Sequence, residues 1–367
     1  MVSFFVSFLT SALLTLLIIK HDRLQRPALD SDFGGVQKVH VHDVARLGGL
    51  PIFLAILVGA LVGSWRVPGL GLWFGPLLAC SVPAFGGGLV EDFTGRVSAS
   101  RRLLLTMLAA AVAWYWLDAR LLRLDLPGVA LDMSFWWLSL PITVLAVAGI
   151  ANAVNIIDGF NGLASMVCIC MLISLAYVAA QVGDVFILVA ALSVAGATAG
   201  FLIWNYPAGL IFLGDGGAYL IGFLLGELAL CLVMRHAEIS TWYAVLLLLY
   251  PAFETLFSVY RRLFIKGRSP AVPDGIHLHG LIFRRIVQWA VGPRDAKNLL
   301  RQNSLTSPYL WLLSGMAVLP ATIFWRSTPI LIGFSALFVI SYVWLYGRIV
   351  RFKSPKWLML RKRDKTR

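Results

Sequence analysis

Residues 211–234 read IFLGDGGAYLIGFLLGELALCLVM: Asp215 is set among glycines, and the apolar run from Ala218 to Met234 carries only Glu227 as a charge. Such a run suits a helix crossing roughly 30 Å of hydrocarbon. Working outward from it, comparable runs lie near 2–20, 47–64, 72–90, 102–117, 135–151, 163–181, 185–203, 241–260, 308–325 and 329–347. The composition agrees: 59% hydrophobic, 13% charged and a mean hydropathy of +0.82, where a soluble domain is roughly half apolar. The expectation is an all-α integral membrane protein of about eleven transmembrane helices. No basic residue precedes the first run and Lys20 to Arg23 follow it, so it reads as a retained helix rather than a cleaved signal.

Alternating orientation puts segments 20–46, 91–102, 152–162, 204–217, 261–307 and 348–367 on one side. That side carries 26 of the 31 Lys and Arg residues, against five on the other. Cytoplasmic loops hold this excess, so the first side is read as cytoplasmic, with the N-terminus outside and the C-terminus inside. The net charge of +13 is then mainly a topology signal. Its spread over membrane flanks argues against nucleic-acid binding. No linker or repeat divides residues 1–347, read as one membrane domain; residues 348–367 form a basic tail suited to anionic headgroups. Segment 118–134 is long enough for a short hairpin turning at Pro127 and Gly128. Cys80, Cys168, Cys170 and Cys231 all fall in apolar runs and read as packing residues.

Four loops of the basic side carry polar motifs. They are Gly86 to Gly95 with Glu91 and Asp92; Asn152 to Leu163 with Asn155 and Asp158; Trp204 to Gly217 with Asn205 and Asp215; and the loop with His277 and His279. Ionisable groups at membrane depth are functional candidates, and carboxylates converging from three loops suit a hard cation. Mg²⁺ takes one or two carboxylates and completes its shell with water and substrate phosphates; Mn²⁺ is an alternative, and Zn²⁺ lacks its usual ligand clustering. The glycines around Asp215 would let a pyrophosphate approach the backbone, and a helix starting near Gly217 would aim its N–H groups there. Each acid taken singly could instead cap a helix. Glu227 and Glu254, inside apolar runs, read as packing partners. A transporter would place its polar groups near mid-membrane in repeated halves, which this pattern does not show.

In these loops the chain resembles the polyprenyl-phosphate N-acetylhexosamine-1-phosphate transferase family. The resemblance starts at Lys38-Val39-His40 and Arg46-Leu47-Gly48-Gly49, and continues through Glu91-Asp92, Asn155 to Gly159, Ile211 to Asp215 and Pro251 to Thr255. It ends with Gly267-Arg268-Ser269-Pro270 and Pro273 to His279. It implies transfer of a sugar-1-phosphate from a UDP-sugar to undecaprenyl phosphate at a bacterial plasma membrane, releasing UMP and initiating a cell-surface polysaccharide. By this resemblance Asp215 and Asn155 hold the metal, while Glu91, Asp92 and Asp158 are catalytic. Lys38, His40, Arg46, Asn152, Asn205, Arg268, His277 and His279 bind substrate. Partners implied are the UDP-sugar, the lipid phosphate and the bilayer, with room for a homodimer. Glu91 stands where the family has Asp, and His277-Leu278-His279-Gly280 replaces its His-x-His-His ending. The missing triple-His run argues against a muramoyl-pentapeptide donor and favours a UDP-N-acetylhexosamine or a deoxy-aminosugar derivative.

Overall fold

How closely these helices approach one another is set by glycine. The computed structural model describes residues 1–21, 44–126, 128, 133–265, 277–288 and 296–351. Among them are thirteen α-helices: α1 (Val2–Lys20), α2 (Gly49–Arg66), α3 (Gly71–Thr94), α4 (Ala99–Trp116), α5 (Trp136–Ile157), α6 (Leu163–Gln181) and α7 (Val185–Asn205), then α8 (Gly214–Arg235), α9 (Thr241–Leu247), α10 (Leu249–Tyr260), α11 (Leu278–Ile282), α12 (Ala296–Ile323) and α13 (Thr328–Val350).

The central element is α8, buried on every side from Gly216 to Ala229 and flanked by α3 and α5. At the periphery, α1 turns Ser3, Ser7, Ser11 and Thr15 inward and leaves Phe5, Leu9, Leu13 and Leu17 exposed. Polar-in and apolar-out is the pattern of a helix whose outer solvent is lipid. Small residues make its contact with α7: a Cβ on Gly196 or Gly200 would fall 2.2 or 2.3 Å from the carbonyl oxygen of Phe4 or Phe8.

All eleven apolar runs lie in helices, but eight of those helices are long and apolar enough to cross a membrane, and nine if the α9–α10 pair counts as one span. That pair bends by 70°. Pro251, three residues into α10, has no N–H to give the Leu247 carbonyl, so the ladder cannot run straight through Leu248. The remaining two, α4 and α12, are long helices with polar or charged N-terminal turns. Helix α8 starts at Gly214, a turn earlier than the sequence suggested. In segment 118–134, Gly128 takes a left-handed turn at φ +74°, Pro127 lies outside the described residues, and no strand pair forms among those described. The four cysteines are free and at least partly buried.

Candidate active site

The first acidic loop and the third are joined by backbone chemistry. Oδ1 and Oδ2 of Asp92, at the end of α3, accept the N–H groups of Asp215 and Gly216, each at 2.8 Å. These are orphan donors of the first turn of α8, where the helix dipole favours an anion. The anion position at this helix start is thus filled by the protein's own carboxylate. The glycines serve the same closeness. Gly214 has φ +75°, and a Cβ there would lie 2.4 Å from the Arg46 carbonyl and 2.6 Å from Asp92 Oδ2. A Cβ on Gly88 would meet the Asp215 backbone at 2.5 Å, and one on Gly49 would meet Gly217 N at 2.4 Å. The glycines flanking Asp215 were expected to let a pyrophosphate approach the backbone; in the structure Gly214, Gly216 and Gly217, with Gly49 and Gly88, let α2, α3 and α8 meet closely.

That packing presents Asp215 at the surface of the site, with its side chain 21% exposed. Arg102, in the first turn of α4, forms an ion pair with Asp215 Oδ2, lies 3.8 Å from Glu91 Oε1 and sits over the Tyr219 ring. Glu91 also accepts the Val97 N–H, which folds the short loop after α3 back on itself. Tyr219 donates to Asn152 Oδ1 at 3.0 Å, tying α8 to α5. Residues 45–49 run beside residues 212–213: Phe212 N–H donates to the Ala45 carbonyl at 2.9 Å, and the N–H groups of Gly48 and Gly49 donate back to Phe212 and Leu213 at 2.9 and 3.0 Å. Arg46 is thereby brought near enough for its charge to act on both Asp92 and Asp158.

Asp158 follows the last turn of α5, which carries Asn155. Burial pushes its carboxyl up to about 7, with Arg46 pulling the other way. The fourth loop reaches the same turn. A Cβ on Gly159 would be 3.4 Å from His279 Nε2, and the His279 ring stands edge-on to Phe160 at 5.7 Å. His277 and His279 are both buried, their rings parallel with centroids 5.1 Å apart.

Of the residues expected at the substrate, Asn205 is a buried brace between loops. Its Oδ1 accepts the Gly162 N–H at 2.6 Å and its Nδ2 donates to the Ile211 carbonyl at 2.8 Å. Lys38, His40 and Arg268 lie outside the described residues. Arg102 and Tyr219 were missed as site residues. A signal existed for Arg102: an arginine in a first helical turn opposes the dipole and needs an acidic partner.

Among the described residues no three His, Cys, Asp or Glu side chains form a metal-binding group. Asp215 offers a partly exposed carboxylate, one oxygen of which Arg102 engages, and this is the open kind of donor used by an ion that keeps most of its water.

The family model for "Glycosyl transferase family 4" matches residues 74–233, from α3 through α8. A Bacillus subtilis protein named "Probable undecaprenyl-phosphate N-acetylglucosaminyl 1-phosphate transferase" is 30% identical over 282 residues, covering 76% of this chain and 75% of the relative. A decaprenyl-phosphate N-acetylglucosaminephosphotransferase of Mycolicibacterium smegmatis is 31% identical over 312 residues, covering 75% and 70%. A phospho-N-acetylmuramoyl-pentapeptide-transferase of Halalkalibacterium halodurans is 29% identical over 203 residues, covering 53% and 61%.

Proposed function

The chain belongs to glycosyl transferase family 4, and on that premise we propose that it moves N-acetylhexosamine-1-phosphate from its UDP derivative to undecaprenyl phosphate on the cytoplasmic side of a bacterial plasma membrane. A phosphate oxygen of the lipid attacks the β-phosphorus of the donor, the bond to the α-phosphate breaks, and UMP leaves a lipid-diphospho-sugar behind. The product would initiate a cell-surface polysaccharide. The observation that carries this reading is the meeting of carboxylates from three loops beside two guanidinium groups at one end of the helix bundle.

The residues divide the labour. Asp92 positions Asp215 through two backbone N–H groups. Asp215, with Asn155, would hold Mg²⁺, which when bound neutralises charge on the transferred phosphoryl group. Arg102 and Arg46 bring fixed positive charge to the phosphates, as transfer through a loosely bonded transition state chiefly requires. Glu91 keeps Arg102 in place from its other side. Asp158, with its carboxyl held near neutrality, can take up or release a proton beside the reacting phosphates. An N-acetylglucosamine donor is supported by relatives of that name matching over about three quarters of the chain, where the pentapeptide-type relative matches over about half.

The test is direct. Purified protein in lipid nanodiscs, given undecaprenyl phosphate, Mg²⁺ and a panel of UDP-sugars, should release UMP with UDP-N-acetylglucosamine or another N-acetylhexosamine donor. EDTA should stop the release and added Mg²⁺ restore it. A folded preparation silent with every donor refutes the reading.

A further inference from the structure

Glu254 lies within α10, its side chain 1% exposed, at a point where two hydrogen-bond donors and two imidazoles converge. Oε1 accepts the Leu278 N–H at 2.7 Å, and Oε2 accepts the Tyr342 hydroxyl of α13 at 2.7 Å. The Nδ1 atoms of His277 and His279 stand 3.4 and 3.8 Å from the same Oε1. A carboxylate taken this far from water is costly unless it is paired and hydrogen-bonded. The Leu278 N–H and the Tyr342 hydroxyl meet that demand by hydrogen bonds, and the two imidazoles approach the same oxygen at ion-pair distance. Both imidazoles therefore turn their Nδ1 edges inward to one oxygen. The two rings are parallel to within 4°, and the Nε2 edge of His279 lies against Gly159, next to Asp158.

We propose that Glu254 is a positioning residue for donor recognition: its carboxylate orients the His277–His279 pair from the Nδ1 side, so that His279 presents its Nε2 to the donor's diphosphate and sugar beside the Asp158 turn. A ring's second nitrogen is set by what its first one faces, and here one carboxylate faces the Nδ1 of two rings. The other titratable groups around it are Tyr250 and Tyr342 on the α10–α13 side and Asp158 across the Gly159 turn. Tyr342 steadies the carboxylate from behind. The bend at Leu248 is what lets α10 bring Glu254 to the histidines, so the broken span becomes part of the donor site.

The proposal rests on the transferase reading and is tested separately from it. Wild-type protein must first release UMP; if it does not, the transferase reading fails. With active wild type, Glu254→Gln should raise the KM for the UDP-sugar about tenfold or more, the scale of losing a group that orients a ligand, while the KM for the lipid phosphate stays within about twofold. In a His277→Ala/His279→Ala background the same substitution should change donor KM by less than about twofold, because Glu254 acts through those rings. An unchanged donor KM in Glu254→Gln, or equal losses in the two backgrounds, overturns the proposal. Should Glu254→Gln not fold, Glu254→Asp carries the test: the charge remains but withdraws by one methylene, and donor KM should rise with acceptor KM steady. Equal effects on both substrates there would mark Glu254 as a structural group only.

Discussion

The two ends of the helix bundle use the same residue types to different effect. At the end opposite the acidic loops, Asp184 accepts the Ile187 N–H at 2.9 Å as the N-cap of α7 and lies 3.0 Å from His236 Nε2 and 3.5 Å from Arg235 Nη1. Asp125 accepts the Thr241 N–H at 2.8 Å and pairs with Arg123, whose Nη2 donates to the carbonyls of Val233, His236 and Ile239. Carboxylate, guanidinium and imidazole there close helix ends. At the acidic end, Asp92 and Asn205 are committed in the same way, but they hold in place Asp215, which faces a guanidinium and solvent, and the loop that follows Asp158. The difference teaches that an aspartate's reactivity depends on the hydrogen-bonding capacity the fold leaves it, and Asp92 and Asp215 differ in this although one binds the other's backbone.

Breaking the comparison at its sharpest point gives the largest effect. Asp215→Asn keeps the size and the N-terminal turn of α8 but removes the charge; turnover should fall by about a thousandfold or more, on the scale of losing an electrostatic stabiliser, with the melting temperature little changed. Substantial remaining activity would move the metal role to another side chain.

Asp158→Asn should separate stability from function. The folded carboxyl titrates at about 7, above the usual 3.8, so its charge opposes folding. The cost grows as pH rises from 4 to 7 and is complete above 7. The asparagine variant, kept free of divalent cations, should therefore be more stable by roughly 2–4 kcal/mol at pH 8, with the gain shrinking as pH falls towards 4. Thermal unfolding at the two pH values checks this, and a gain that grew on acidification would reverse the assigned sign.

Arg102→Ala should lower kcat/KM by roughly 10–100-fold, and Arg102→Lys should recover only part of it, because one ammonium cannot serve Asp215 and Glu91 as a guanidinium fork does. Steady-state kinetics with both substrates varied would show it. The smallest effect belongs to the opposite end: Asp184→Ala should cost about 1 kcal/mol as a lost N-cap and leave kcat/KM unaltered. A kinetic defect in that variant would mean that the two ends are coupled.

Much of the site was legible along the chain because its residues sit in short polar motifs at the ends of apolar runs. Asp215, Asp158, Asn152 and the histidines could be picked out as candidates without coordinates, since capping explains any one of the acids but not the set. Arg102 was counted only as topology: a basic residue flanking a span looks the same whether it faces headgroups or an aspartate. Glu254 looked like packing because a single acid in an apolar run gives no hint of its partners, which come from residues 278 and 342. The glycines around Asp215 were noticed for close approach, and the neighbours they admit here are the Arg46 carbonyl, Asp92 and Gly49.

Periodicity, hydropathy and the uneven spread of arginine and lysine follow from each residue's own transfer free energy, so the sequence by itself determined that this is a helical membrane protein with its acidic loops on one side. The bend at Leu248, the capture of α8's first N–H groups by Asp92 and the gathering of two imidazoles on Glu254 were decided by tertiary structure alone. Each depends on which distant segment fills a donor or acceptor, and hydrogen-bond satisfaction between remote residues leaves no mark on either residue's immediate neighbours.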